Sequence, residues 1–172
     1  KNLGIGGAVQ TGYKYAYGNG YDIAIQFDGD GQHDVNYVTN ICMPIIEGQA
    51  DMVIGTRYLD KSESKFQSTF MRRFGSKIIC MLLKLTTRTK ITDPTSGFRA
   101  VNKDIIKVFA NEYPSDYPEP ESIVTIKNLG YKIIEVPVSM NEREGGTSSI
   151  SVWKSVYYMI KVSLAIIIDS LN

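Results

Sequence analysis

The run from Tyr21 to Phe27 has an apolar centre, Ile23-Ala24-Ile25, and passes directly into Asp28-Gly29-Asp30-Gly31-Gln32. A short apolar run that stops at turn residues reads as a buried strand. Side chains two apart in extended backbone share a face, so Asp28 and Asp30 present their carboxylates together. Ligands of open α/β sheets bind beyond the carboxyl ends of strands. With the amide oxygen of Gln32, the two carboxylates form a hard, oxygen-only donor set. Such a set suits Mg2+ or Mn2+, with phosphate oxygens completing the shell. Gly29 and Gly31 let the backbone approach a ligand closely.

Three other readings of this run compete. An EF-hand loop matches Asp28, Asp30 and Gln32, but its obligatory glycine position holds His33 and its final glutamate position holds Thr39. A haloacid-dehalogenase-type phosphatase also places Asp-x-Asp-Gly after an apolar strand. It normally has Thr or Val where Gln32 sits, and it needs a late acidic pair that this chain lacks. A solvated Asp-Gly turn is the plain alternative. His33 is the only histidine; beside Asp34 at a helix start it suits a capping or structural role at least as well as a ligand role.

The rest of the chain supplies a setting. Hydrophobic periodicity predicts helices over residues 4–17, 35–47, 69–85, 104–110, 121–129 and 152–168, with strands over 21–27, 52–55, 98–101 and 132–138. Small residues (Gly7, Ala8, Gly12, Ala16) line one side of the first helix, and Gly18-Asn19-Gly20 ends it. Residues 56–68 and 141–149 read as polar loops, and Tyr117-Pro118-Glu119-Pro120-Glu121 as a proline-rich turn. Strands alternating with helices argue an α/β fold with a mostly parallel sheet. The 172 residues suit one domain with its own core, and the net charge of +1 gives no basic excess for nucleic acid. Cys42 and Cys80 lie far apart in apolar surroundings, which suggests a reducing, cytoplasmic setting rather than a disulfide.

Six stretches then occur in a fixed order: Asn2 to Ala8, Phe27 to His33, Ile54 to Tyr58, Asp93 to Ala100, Tyr117 to Glu121 and Asn141 to Ile150. In this order they resemble family 2 glycosyltransferases of the dolichyl-phosphate-mannose-synthase type, which have the GT-A nucleotide-diphospho-sugar transferase fold. The resemblance covers nearly the whole chain. It implies a catalytic domain over residues 1–150 and an amphipathic C-terminal helix over 151–172. Family members open with a strand–helix–strand region that carries the nucleotide-base pocket. The chain is therefore expected to lack that first βαβ region, roughly 60 residues as two βα units.

The resemblance also implies roles. Asp28, Asp30 and Gln32 match the metal motif, the two aspartates also meeting the donor diphosphate. Arg57, Arg72 and Ser76 match residues near the donor phosphates; a surface arginine and a solvated basic helix face are the alternatives. Arg72 and Ser76 are one helical turn apart and share a face. Asp93 and Ser96 belong to a tight loop fixed by Pro94 and Gly97, where they either enter the cleft or cap the loop. Ser96, Arg99 and Glu119 fall on the acceptor side. Asp93 and Glu121 are the general-base candidates, Asp93 slightly ahead, while Glu121 and Glu119 also suit the first turn of a helix. Arg143, in a glycine-rich loop, resembles a guanidinium that closes over phosphates. The family often has a lysine after the serines, where this chain has Ile150.

The implied reaction is an inverting transfer from a nucleotide-sugar donor to a polyprenyl phosphate or a glycan. The metal, Arg57 and Arg143 would stabilise charge on the leaving diphosphate. A phosphate acceptor needs no base, whereas a hydroxyl does. The Q-x-x-R-W run of processive members is absent, which predicts a single transfer. The last helix is rich in Val, Ile, Leu and Met, with Lys154 and Lys161 on one face. Its uncharged stretch falls short of the ~20 residues of a spanning helix. It suits either packing on the sheet or peripheral contact with the inner face of the plasma membrane, with Trp153, Tyr157 and Tyr158 at headgroup level. The rivals are the phosphatase and a degenerate domain that only binds a partner.

Overall fold

The computed structural model describes residues 3–59, 70–115, 117–141 and 152–169, with backbone alone for 70–74, 152–158 and 169. Helix α1 (Gly4–Gly18) leads to strand β1 (Ile23–Gln26), and α2 (Val38–Ile46) to β2 (Met52–Thr56). Helix α3 (Phe70–Thr87) precedes β3 (Arg99–Asn102), which runs into α4 (Lys103–Asn111). Helix α5 (Pro118–Asn128), β4 (Ile133–Pro137) and α6 (Val152–Asp169) complete the described elements.

Among the described residues the sheet has four strands in the order β1-β3-β2-β4. Strand β3 is antiparallel to β1 and to β2, while β2 and β4 are parallel. Three strands therefore share one direction, and the reversed β3 lies between two of them. This reversal positions the site. Arg99, the first residue of β3, pairs with Gln26 near the end of β1 and with Ile54 near the end of β2. The residues entering β3 thus meet the residues leaving β1 and β2 at one sheet end. Thr56 pairs with Pro137, so β4 finishes there too.

Side-chain alternation along β2 feeds two cores. Met52 and Ile54 pack with Ile79, Leu83, Ile105, Phe109, Ile123 and Ile126 on one side of the sheet. Val53 packs with Ile41, Phe98, Ala100 and Val138 on the other. A strand covered on both faces has no polar face, which is why residues 52–54 read as a continuous apolar run. Each such side chain, fully buried, contributes about 1.5–3 kcal/mol.

Helix boundaries follow local chemistry. Asn102 caps α4 by accepting the Ile105 amide at 3.0 Å. Gly20, with φ of 69°, turns the chain after α1. The small-residue side of α1 is corrected: the close approach is made by Gly6, where a Cβ would lie 2.3 Å from the Pro114 carbonyl, while Gly12 faces open space. The proline-rich turn is corrected as well, because Pro118 to Glu121 form the first turn of α5. Amides of a first helical turn have no intrahelical partner, so proline sacrifices nothing there.

Helix α6 packs against α3 and α5. A Cβ on Gly75 would lie 2.3 Å from the Met159 sulfur, so glycine permits the α3–α6 approach. Val162 and Ile166 of α6 are buried, while Ile160, Leu164, Ile167 and Ile168 are exposed. Among the described residues, no helix is long and apolar enough to cross a membrane.

Candidate active site at the sheet end

The loop after β1 is open. Asp28 keeps 45% of its side chain exposed, and its Oδ2 lies 3.4 Å from His33 Nε2. Asp30 Oδ1 accepts the Gln32 amide at 3.1 Å, closing a turn in which Gly31 has φ of 77°. Gly97 stands against Asp28: a Cβ there would lie 2.6 Å from Asp28 Oδ2. Glycine at 97 therefore keeps room for the carboxylate. The Asn141 amide donates to the Gln32 carbonyl at 2.9 Å, and His33 bridges Met140. This brings the start of the glycine-rich segment beside the carboxylates. Residues 142–151, including Arg143, lie outside the described residues.

His33 is buried between Phe27 and Phe98, with ring centroids 5.3 and 5.0 Å away. The helix start belongs to Asp34, whose side chain accepts the Asn36 amide at 2.9 Å. His33 instead braces Asp28 from inside the loop.

The loop after β2 is closed by hydrogen bonds. Arg57 Nε donates to Asp93 Oδ2 and Arg57 Nη2 to Asp93 Oδ1, both at 2.7 Å. The Arg57 amide adds a contact to Oδ2 at 3.3 Å. Asp93 is fully buried, and 17% of the Arg57 side chain is exposed. Burial alone would lower the Arg57 pKa; the Asp93 hydrogen bond and charge outweigh it and raise the value. Glu135, from β4, accepts the Thr92 amide at 2.9 and 2.8 Å and the Asp93 amide at 2.9 Å. Burial lifts the Glu135 pKa above the usual carboxylate range, partly offset by those amides. The hydroxyls of Thr56 and Thr92 meet at 2.9 Å.

The cleft-facing expectations for this loop are corrected. Ser96 is fully buried, donates to the Gly55 carbonyl at 2.6 Å and accepts the Phe98 amide at 3.3 Å. Arg99 is 1% exposed. Its Nε donates to Ser96 O at 2.7 Å, Nη1 to Glu119 O and Ser122 Oγ at 2.7 and 2.9 Å, and Nη2 to Pro94 O at 2.8 Å. A loop outside the sheet ladder leaves carbonyls needing donors, and Arg99 supplies them. It ties the 94–96 loop to the start of α5 and does not face an acceptor. Asp93 turns inward too, both oxygens taken by Arg57, so it is not placed to remove a proton from a hydroxyl in the cleft.

Glu119 and Glu121 are partly buried acids of the first turn of α5, where negative charge suits the helix dipole. Ser76, partly buried on α3, hydrogen-bonds Cys80, whose Sγ donates to the Thr92 carbonyl at 3.6 Å. Burial pushes the Cys80 thiol up to about 11. Arg72 lies on α3, with its side chain outside the described residues. Glu135 went unnoticed in the sequence. Its signal was a charged residue inside an apolar run of β4, where a buried charge requires partners.

The donors near Asp28 fit a divalent cation shared with a ligand better than a closed metal centre. Asp28, Asp30 and Gln32 are all partly exposed oxygen donors, too few alone for six-coordinate Mg2+. Among the described residues no group of three or more His, Cys, Asp and Glu side chains gathers as a metal centre.

The mixed sheet brings the loop of Asp28 and Asp30 and the held Arg57 to one end. The sequence profile of glycosyl transferase family 2 matches residues 1–109. The UDP-N-acetylglucosamine–dolichyl-phosphate N-acetylglucosaminyltransferase of Methanococcus voltae is 30% identical over 98% of this chain and 69% of its own length. The undecaprenyl-phosphate mannosyltransferase of Micrococcus luteus is 28% identical over 86% of this chain and 61% of its own length. The polyprenol monophosphomannose synthase of Mycolicibacterium smegmatis is 26% identical, over 86% and 56%. The chain belongs to glycosyl transferase family 2, and it is a glycosyltransferase of the dolichyl-phosphate-mannose-synthase type. Membership displaces the phosphatase reading.

Proposed function

We propose that this chain transfers one sugar from a nucleotide-diphosphate donor to a polyprenyl phosphate, with inversion, and that Asp28, Asp30 and Gln32 hold Mg2+ or Mn2+ against the donor diphosphate. The supporting observation is the open Asp28–Asp30 loop beside Gly97, at the sheet end that also holds Arg57. The cation would offset charge growing on the leaving diphosphate. Arg57, charged and aligned by Asp93, adds a fixed positive group there. Arg72, Ser76 and Arg143 are proposed further contacts to phosphate.

The burial of Asp93 favours a phosphate acceptor over a glycan hydroxyl. A phosphate oxygen is already ionised near neutral pH and needs no base, so an aspartate committed to Arg57 leaves no gap in the chemistry. By their names, two of the relatives above act on dolichyl phosphate and undecaprenyl phosphate, and the third makes polyprenol monophosphomannose. Glu121 and Glu119 remain the proposed acids on the acceptor side.

Such an acceptor is embedded in a bilayer. The exposed Ile160, Leu164, Ile167 and Ile168 of α6, with Lys161 among them, suit peripheral contact with an anionic inner-leaflet surface. Met81 and Leu85 of α3 are exposed too, flanked by Lys77, Lys84 and Arg88.

One experiment tests these points on the complete polypeptide. Vesicles carrying undecaprenyl phosphate and anionic lipid are mixed with a panel of nucleotide-sugars and Mn2+. The expected result is co-sedimentation, and release of nucleoside diphosphate that stops on adding EDTA. Release without any effect of EDTA removes the cation. No release with any donor supports a domain that only binds.

A further inference from the structure

Glu135 belongs to β4 and not to the open loop, and its carboxylate is spent on two consecutive amides. It accepts Thr92 N at 2.9 and 2.8 Å and Asp93 N at 2.9 Å. Those amides start the loop that enters β3. The next group along is the buried Asp93 carboxylate, which grips Arg57 by two bonds of 2.7 Å. The Thr92 side is braced twice more, through its hydroxyl to Thr56 at 2.9 Å and through its carbonyl to Cys80 at 3.6 Å. Strand register keeps the parts together, since Glu135 pairs with Ile54, three residues before Arg57.

We propose that Glu135 is a positioning residue for sugar transfer: by anchoring the Thr92 and Asp93 amides it fixes the Asp93 carboxylate, which aims the guanidinium of Arg57 at the donor diphosphate. This rests on the reading that Arg57 meets the donor. A planar guanidinium held at two points has one orientation, and its second point depends on where the Asp93 backbone stands. Glu135 Oε1 accepts both amides, and Oε2 is a second acceptor 2.8 Å from the Thr92 amide. A glutamine oxygen in the Oε1 place turns the NH2 group toward the Thr92 N–H, donor against donor. The Thr92–Asp93 backbone then shifts and the fork tilts. Misplacing a charge-stabilising group by a fraction of an ångström to one ångström costs roughly tenfold to a hundredfold in rate.

The experiment is a double-mutant cycle on the complete polypeptide, with Glu135→Gln, Arg57→Lys and the pair, reading kcat, donor KM and Tm. Lysine keeps the charge and loses the fork. With Arg57 in place, Glu135→Gln is expected to lower kcat/KM for the donor roughly tenfold or more; added to Arg57→Lys, it is expected to lower it by less than about twofold. Its effect on Tm is expected to be the same in both backgrounds. Equal rate effects in both backgrounds, or a Tm loss with unchanged kcat and KM, overturn the proposal. A second readout needs no turnover: exchange of the Arg57 Nε proton with water, followed by NMR, is expected to speed up at least about tenfold in Glu135→Gln. Unchanged exchange overturns the relay even in an inactive chain. Faster exchange and coupled kinetics with no change on Arg57→Lys alone would instead remove Arg57 from the donor site, a failure of the underlying reading.

Discussion

Asp28 stands with 45% of its side chain exposed, whereas Asp93, at the same end of the sheet, has none. Both follow or precede a strand by a few residues, and both sit in glycine- or proline-marked loops. Their surroundings differ in kind. Asp28 faces His33 at 3.4 Å and a glycine that leaves it room. Asp93 accepts three contacts from Arg57, and its own amide is held by Glu135. A carboxylate with oxygens turned to solvent can take up a cation; one whose oxygens are both bonded inside the protein orients its partner. Two aspartates at one end of the sheet therefore differ in kind: Asp28 stands open, and Asp93 is a structural anchor for Arg57.

Paired substitutions offer the sharpest break in this comparison. Asp93→Ala removes the two-point partner of Arg57 in a largely buried position, which is expected to cost about 3–5 kcal/mol of stability. Asp30→Ala, on the open loop, is expected to change stability by less than about 1 kcal/mol. It should lower transfer roughly 10²- to 10³-fold, by removing a proposed ligand of the cation that offsets charge on the leaving diphosphate. Urea unfolding and initial rates on the same preparations give both numbers. A stable, inactive Asp93→Ala, or an unfolded Asp30→Ala, would reverse the two roles.

The open loop was legible in the sequence because its signal is local. An apolar strand running into Asp-Gly-Asp-Gly-Gln needs no knowledge of the rest of the fold. The closed cluster was not legible, because Arg57, Asp93 and Glu135 come from three segments whose meeting depends on the reversed β3. The family resemblance places polar residues of the 93–99 loop in the cleft, and only the fold shows Ser96 and Arg99 serving buried carbonyls. The first turn of α5 was hidden for another reason. Pro118 and Pro120 look like helix breakers, while the first turn is where a missing N–H has no consequence.

A smaller effect sharpens the boundary between the two regions. Gly97 belongs to the loop of the closed cluster but touches the open carboxylate. Gly97→Ala would place a Cβ 2.6 Å from Asp28 Oδ2. The end of a side chain can move, so the stability loss is expected near the low end of overpacking, about 1 kcal/mol. Moving Asp28 off its seat against His33 should weaken Mn2+ binding by roughly tenfold, as when a group orienting a metal ligand is lost. Isothermal titration with Mn2+ and a nucleoside diphosphate measures it. Unchanged affinity would mean that the seat of Asp28 does not matter.

The smallest effect concerns the stability that Glu135 gives up by being charged where it is. Burial raises its pKa from an ordinary 4.5, so between that value and the raised one the folded chain holds the proton more firmly than the unfolded chain. Stability falls with pH wherever the folded state binds more protons, so the Glu135 contribution is lost as pH rises through the folded pKa. Glutamine at 135 does not titrate. The unfolding free energy of wild type minus that of Glu135→Gln is therefore expected to shrink as pH rises from 4.5 through the raised value, then to level off. Other titrations are common to both chains and cancel in the difference. Urea midpoints measured at half-unit pH steps follow it. A difference that widens with pH would mean that the Thr92 and Asp93 amides hold the carboxylate strongly enough to outweigh its burial, making Glu135 a net stabiliser when charged.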